Sequence, residues 1–164
     1  MTRNVRRINL APAYILHHRP YRDTSRILEV ITRDHGRLSL FARGVRGPKA
    51  RLASVLQPFQ LLLLSWSGRG EAAQLTAAES ADHDPAVPAG SLMGSFYLNE
   101  LLMKLTTRHD PLPSLFDDYH ATVDGLRRGM QTRFAFIGTR MRGVFECRRT
   151  REPKVLLPLP PAPV

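Results

Sequence analysis

The stretch Arg26-Ile-Leu-Glu-Val-Ile-Thr-Arg33, Asp34-His-Gly36, Arg37-Leu-Ser-Leu-Phe-Ala-Arg43 reads as two strands joined by a turn, and it decides the fold class. The first run is rich in β-branched residues, and Gly36 supplies the positive φ that the turn needs. The second run alternates strictly, with Leu38, Leu40 and Ala42 on one face and Arg37, Ser39, Phe41 and Arg43 on the other. A period of two marks a half-buried strand, so one face builds core and the other looks outward. Upstream, Tyr14-Ile-Leu-His-His-Arg19 is a further strand candidate. Downstream, Gly44-Val-Arg-Gly-Pro-Lys-Ala-Arg51 is too rich in glycine, proline and charge for a strand interior, whereas Phe59-Gln-Leu-Leu-Leu-Leu-Ser-Trp66 is apolar on both faces. Gly68-Arg-Gly70 turns the chain into Ala72-Ala-Gln-Leu-Thr-Ala-Ala-Glu79, a weaker strand because alanine suits sheets poorly. Five short strands in about 70 residues predict a small closed barrel, of SH3-like or OB type.

The period then changes. Leu98, Leu101, Leu102 and Leu105 recur at helical spacing within Ser91 to Thr107, with Ser91 as the expected N-cap. Asp110-Pro-Leu-Pro113 ends that helix, and Ser114 opens another whose Leu115, Phe116, Tyr119, Val123 and Leu126 share one face. Asp117 and Asp118 fall in its expected first turn, where carboxylates favour the dipole. The fold class is therefore α+β: a barrel over 1–80, a linker at 81–90 containing two prolines and a glycine, and a partial helical unit over 91–129. An irregular Pro- and Arg-rich tail follows over 130–164; its end, from Leu156 to Val164, favours extended polyproline conformation.

The 164 residues carry 24 Lys and Arg against 14 Asp and Glu, a net charge of +10. By segment the charge is +8 over 1–80, −3 over 81–129 and +5 over 130–164. A chain of this length can bury roughly 70% of its unfolded surface, which rules out a wholly disordered or collagen-like class. A single cysteine, Cys147, excludes an internal disulfide and a multi-thiolate zinc site. The basic N-terminus leads into a segment holding Asn9 and Pro12 rather than a long apolar run, and Leu61 to Leu64 is too short to span a bilayer. The expectation is a soluble cytoplasmic protein, with no membrane partner.

The chemistry concentrates between Arg33 and Arg51, where Arg33, Arg37, Arg43, Arg46, Lys49 and Arg51 face the single acid Asp34. With Phe41 set between guanidinium groups on an outward strand face, this cluster suits single-stranded nucleic acid. The ring stacks a base and the arginines follow the phosphates. The blander reading keeps the arginines as solubilising edge charges and Phe41 under the helical unit; for one arginine the two weigh equally, and for the whole cluster nucleic-acid binding is favoured. The same cations would attract an acidic peptide tail, which makes a protein-interaction adaptor the alternative. No metal site is expected: His17 and His18 point to opposite sides of a strand, and His83 sits in the linker between Asp82 and Asp84. Nor does any nucleophile–base pair or carboxylate cluster suggest an enzyme, so no catalytic residue and no cofactor are expected. Trp66 reads as a core residue.

Seven segments in order, Arg19-Pro-Tyr21, Ser25-Arg-Ile-Leu28, Thr32-Arg-Asp-His-Gly-Arg-Leu-Ser-Leu40, Ala42-Arg-Gly-Val-Arg46, Leu56-Gln-Pro-Phe59, Leu64-Ser-Trp-Ser-Gly-Arg-Gly70 and Phe96-Tyr-Leu-Asn-Glu-Leu-Leu102, closely resemble the bacterial RecO family of recombination mediators. The resemblance covers residues 8 to about 128. It implies an OB-fold followed by a helical domain, and a non-enzymatic protein of the nucleoid that binds single- and double-stranded DNA. It further implies strand annealing, association with RecR and with single-stranded DNA-binding protein, and indirect service to RecA at gaps in DNA repair. Some members of the family carry a four-cysteine zinc site, which this chain lacks the cysteines to build. From about Met130 the resemblance stops, and 130–164 has the composition of an out-of-frame or aberrant tail, which would leave the chain shortened and its helices with exposed apolar surface.

Overall fold

The computed structural model describes residues 7–45, 52–68, 72–81 and 85–129. The strands are β1 (Arg7–Tyr21), β2 (Ser25–Thr32), β3 (Gly36–Ala42), β4 (Leu62–Ser67) and β5 (Ala72–Ser80), followed by helices α1 (Ala89–Leu105) and α2 (Pro113–Arg127). The strands close in the order β1-β2-β3-β5-β4, with β3 and β5 parallel and the other pairs antiparallel. This is an OB-type barrel, followed by the helical pair. Its interior is filled by the residues that alternation turned inward, including Ile15, Leu28, Val30, Leu38, Leu40, Leu62, Leu64 and Trp66.

One strand is much longer than its sequence pattern predicts. β1 begins at Arg7 rather than at Tyr14, and its first half pairs with β4 while its second half pairs with β2. Asn9 and Pro12 hide this half, because both are poor strand formers. The chain accommodates them with a register shift between Ile8 and Ala11, where Leu10 takes a positive φ of 49° and its N–H donates to Ser65 Oγ at 3.0 Å. A single strand thus serves two neighbours and closes the barrel. Two further boundaries move. β4 starts at Leu62 instead of Phe59, which has a φ of 63° and turns its ring under α1. Ser91 is not the cap of α1: the helix starts at Ala89 after Pro88, and Ser91 is buried within its first turn.

The helices pack on the outside of the barrel. Tyr14 and Leu16 of β1 and Ile31 of β2 join Leu98, Leu102, Leu115, Phe116, Tyr119, Val123 and Leu126 in a second apolar core. Buried hydrogen bonds fix the register of this packing. The Tyr14 hydroxyl meets His120 Nδ1 at 2.7 Å, the Tyr119 hydroxyl donates to Asn99 Oδ1 at 2.6 Å, and Asn99 Nδ2 donates to the carbonyl of Leu16 at 2.9 Å. Full burial pushes the pKa of the Tyr119 phenol well up, keeping it a neutral donor. On α1, Met93 and Tyr97 are exposed, and Phe96 is half-exposed against the Phe59 ring. No described helix is long and apolar enough to cross a membrane.

The segment between α1 and α2 also lies against the barrel, where the His109 N–H donates to the carbonyl of Arg37 at 2.8 Å. Gly36 is the point of closest approach: a Cβ there would sit 2.4 Å from the Asp110 carbonyl oxygen, and its φ is 68°. Gly44 has a similar φ of 63° but open space around it. Gly36→Ala is therefore expected to cost about 2–4 kcal/mol, through both strain and backbone overlap. Gly44→Ala should cost about 1 kcal/mol from φ alone. Urea unfolding of the two variants checks the difference, and equal losses would remove the packing component.

Candidate nucleic-acid interface

Pairing across β1, β2 and β3 sets the outward side chains in rows. Tyr14, Ile31 and Arg37 lie in one, His17, Glu29 and Ser39 in the next, and Arg19, Ile27 and Phe41 in a third. Tyr21 and Ser25 form the row at the end of the β1–β2 hairpin. The helical unit covers the first row, and solvent meets the last. Alternation along β3 thus holds, but its outward residues divide between two environments.

At the covered end, Arg37 is largely withdrawn from solvent. Its side chain is 13% exposed, pairs with Glu29 Oε2 at 3.2 Å, and donates to Thr106 Oγ1 and to the Thr106 carbonyl. Glu29 also accepts from Ser39 Oγ and from Arg108 at 2.6 Å. Ser39, expected on the exposed face, is buried. Arg33 reaches Asp117 with a two-pronged contact at 3.0 and 3.1 Å. That contact holds the Asp117 carboxyl below its usual range and raises the guanidinium. Asp117 therefore grips the barrel from one turn inside α2, whose first turn contains no acid. Arg33 and Arg37 hold the two parts of the chain together.

At the open end the chemistry differs. Phe41 is half-buried, and its ring lies 5.1 Å from that of Tyr21, which is exposed. The Arg22 guanidinium sits 5.3 Å from the Tyr21 centroid, and Arg19 and Arg43 are exposed nearby on the same rows and at the end of β3. Arg22 takes a φ of 52° in the tight β1–β2 connection, which directs it back over the ring. Tyr21, Arg19 and Arg22 escaped the sequence reading. They belong to the strand end and turn that precede the hairpin, and only the register brings them beside Phe41. Arg46, Lys49 and Arg51 lie outside the described residues, as do His83, Cys147 and the tail 130–164 with its out-of-frame reading. Among the described residues no group of three or more His, Cys, Asp or Glu side chains is placed to hold a metal ion.

The family model described as recombination protein O N terminal matches residues 8–83. Proteins named DNA repair protein RecO are similar over most of this chain: that of Nitrosococcus oceani is 47% identical over 125 residues, covering 76% of this chain and 51% of its own length. That of Chromobacterium violaceum is 50% identical over 123 residues, covering 75% of this chain and 50% of its own. The matched region of the chain is RecO-like. A third RecO relative, from Cupriavidus pinatubonensis, is 48% identical over 127 residues, which cover 77% of this chain and 44% of its own length. The chain spans about half the length of the curated relatives it matches.

In this RecO-like barrel the inward side of β1 also holds a titrating group. His18, in the row of Leu28 and Leu40, is half-buried beside Arg26. Burial lowers its pKa below the ordinary 6.5, and the charges of Arg26 and His17 add to the effect. The unfolded chain consequently binds a proton that the folded chain refuses, so stability is greatest above about pH 6.5 and declines as pH falls through the lowered value. The thermal midpoint is expected to drop as the pH falls below about 6.5. His18→Gln should flatten that part of the decline. A midpoint series across this range in which wild type and variant run parallel would refute the assignment.

Proposed function

We propose that the chain is a DNA-binding recombination mediator acting in DNA repair, and that it takes DNA on the open end of the β1–β2–β3 face. The observation that carries this reading is the Tyr21–Phe41 ring pair with Arg22 against it and Arg19 and Arg43 beside it. Two rings at one exposed strand end stack bases, and cations on either side neutralise the backbone they carry. Phe41 and Arg43 of the sequence-derived set stand at the end of β3, and Arg46, Lys49 and Arg51 follow them in the sequence as further candidate cations. Arg33 and Arg37, already engaged by Asp117 and Glu29, position the helical unit instead. The mechanism makes and breaks no bond in DNA. Bringing two complementary strands together requires that their mutual repulsion be screened, and a shared cationic surface with stacking rings does this while keeping bases unpaired. The names of the relatives support the repair role, and the family resemblance supports single-strand annealing, association with RecR and single-stranded DNA-binding protein, and delivery of RecA.

The two contributions separate experimentally. Replacing Tyr21 and Phe41 together by alanine should weaken binding of a labelled single strand about 10- to 100-fold at fixed salt. The slope of log affinity against log salt should stay unchanged. Replacing Arg22 and Arg43 by glutamine should lower that slope by about one per residue removed. Fluorescence anisotropy across a salt series measures both. Undiminished DNA binding in every variant, with loss of an acidic peptide ligand, would move the assignment to the protein-interaction adaptor.

A further inference from the structure

A cavity of about 470 Å³ opens at the end of the barrel where β3 parts from β5, lined by Leu38, Ser39, Trp66, Ala73, His35 and His109 among others. The parallel pairing of these strands runs from Ser39 to Phe41 and starts with the first residue of β5, Ala72, so Leu38 lies beyond the paired segment. Its walls are of two kinds. Trp66, Leu38 and Ala73 belong to the barrel core and give it an apolar floor. The rim is polar: Asp34, the His35 imidazole standing edge-on to Trp66 at 5.4 Å, and the exposed His109. An apolar floor beneath a rim of hydrogen-bonding groups suits a planar, polar heterocycle.

We propose that this cavity receives a single nucleobase, held against Trp66 with its polar edge facing the His35 and His109 imidazoles and the Asp34 carboxylate. Position favours a base from a bound strand, and to that extent the inference rests on the DNA-binding reading. Ser39 lines the cavity and is the next residue but one to Phe41 along β3, a separation of about 6.6 Å. Along the outer face the covered Arg37–Glu29 cluster separates Phe41 from the start of β3, so the enclosed base is a different nucleotide from the one stacked on Phe41. The core-like floor favours the base over the charged phosphate, which would lose its hydration there. The role differs from that of the Tyr21–Phe41 pair: rings on an open face accept any base in passing, whereas the cavity encloses one and removes it from pairing.

Trp66 is the protein's single tryptophan, so its emission reports on this cavity alone. The full chain is titrated with a single-stranded oligonucleotide and with an abasic backbone of equal length, binding being followed independently by anisotropy of a label on the DNA. The expected result is a saturable change in Trp66 emission with the base-bearing strand and none with the bound abasic strand. Ala73→Leu, which fills the floor, should abolish the emission change and weaken the base-bearing strand about fivefold or more. His109→Asn, which tolerates the positive φ of 57° at this position, gives a second variant that leaves the barrel core untouched and should weaken the same strand severalfold. If both strands bind with no difference in emission, the cavity assignment is overturned while the DNA-binding reading stands. If neither strand binds, the DNA-binding reading fails, and free deoxynucleoside monophosphates decide the cavity. A saturable response of Trp66 to them sustains it as a nucleobase site, and a flat one overturns it.

Discussion

The outer face of β1, β2 and β3 can be covered only once, and the Glu29 carboxylate marks where the cover ends. Its side chain is 14% exposed, and it is met by Arg37, Arg108 and Ser39. A carboxylate so placed would be costly without cationic partners, and a guanidinium at 13% exposure equally so. Each makes the other's position tenable. Arg108 comes from the segment after α1, so the charge balance closes only when the helical unit is seated. On one side of this cluster the helices roof Tyr14, Leu16 and Ile31; on the other, Tyr21, Phe41 and exposed arginines meet solvent.

Seating is directional because the roof carries polar groups at fixed places. Tyr119, Asn99 and the Leu16 carbonyl form a chain in which each donor has one acceptor within reach, and a helix shifted by one residue would leave them unpaired in an apolar core. Arg37 repeats the logic at the far end, where its guanidinium donates to the Thr106 carbonyl beyond the last turn of α1. Apolar contact between Leu102, Phe116, Val123 and the barrel gives the attachment its area; these hydrogen bonds give it a register. Gly36 allows both by letting the connecting segment touch the hairpin turn.

Much of this was legible locally. Alternation from Arg37 to Arg43 identified the inward residues of β3, and the spacing of Leu98, Leu102, Leu115 and Val123 identified the buried sides of both helices. What alternation cannot express is which part of an outward face another element covers, since that depends on residues such as Asp117, 84 positions from Arg33. The same limit explains the site. Phe41 was visible as an aromatic between arginines, but Tyr21 was not visible as its neighbour, because a register shift between Ile15 and His17 sets where the end of β1 falls. Asn9 and Pro12 concealed the first half of β1 for a different reason: their local preferences oppose a strand, and barrel closure overrides them.

The division of labour among the cations has a consequence for how salt acts on this protein. Arg33 and Asp117 are roughly half-exposed, so mobile ions screen their attraction almost as they screen contacts with a bound polyanion. Glu29 and Arg37 are shielded by Thr106 and by each other, and ions approach them poorly. Moderate salt therefore loosens one of the two charged attachments, while the shielded attachment and the apolar second core hold the helices in place. The barrel face that remains open is the same at low and moderate salt, so under the proposed reading a salt slope of DNA binding would count phosphate contacts at the open end and not a change in the fold beneath them.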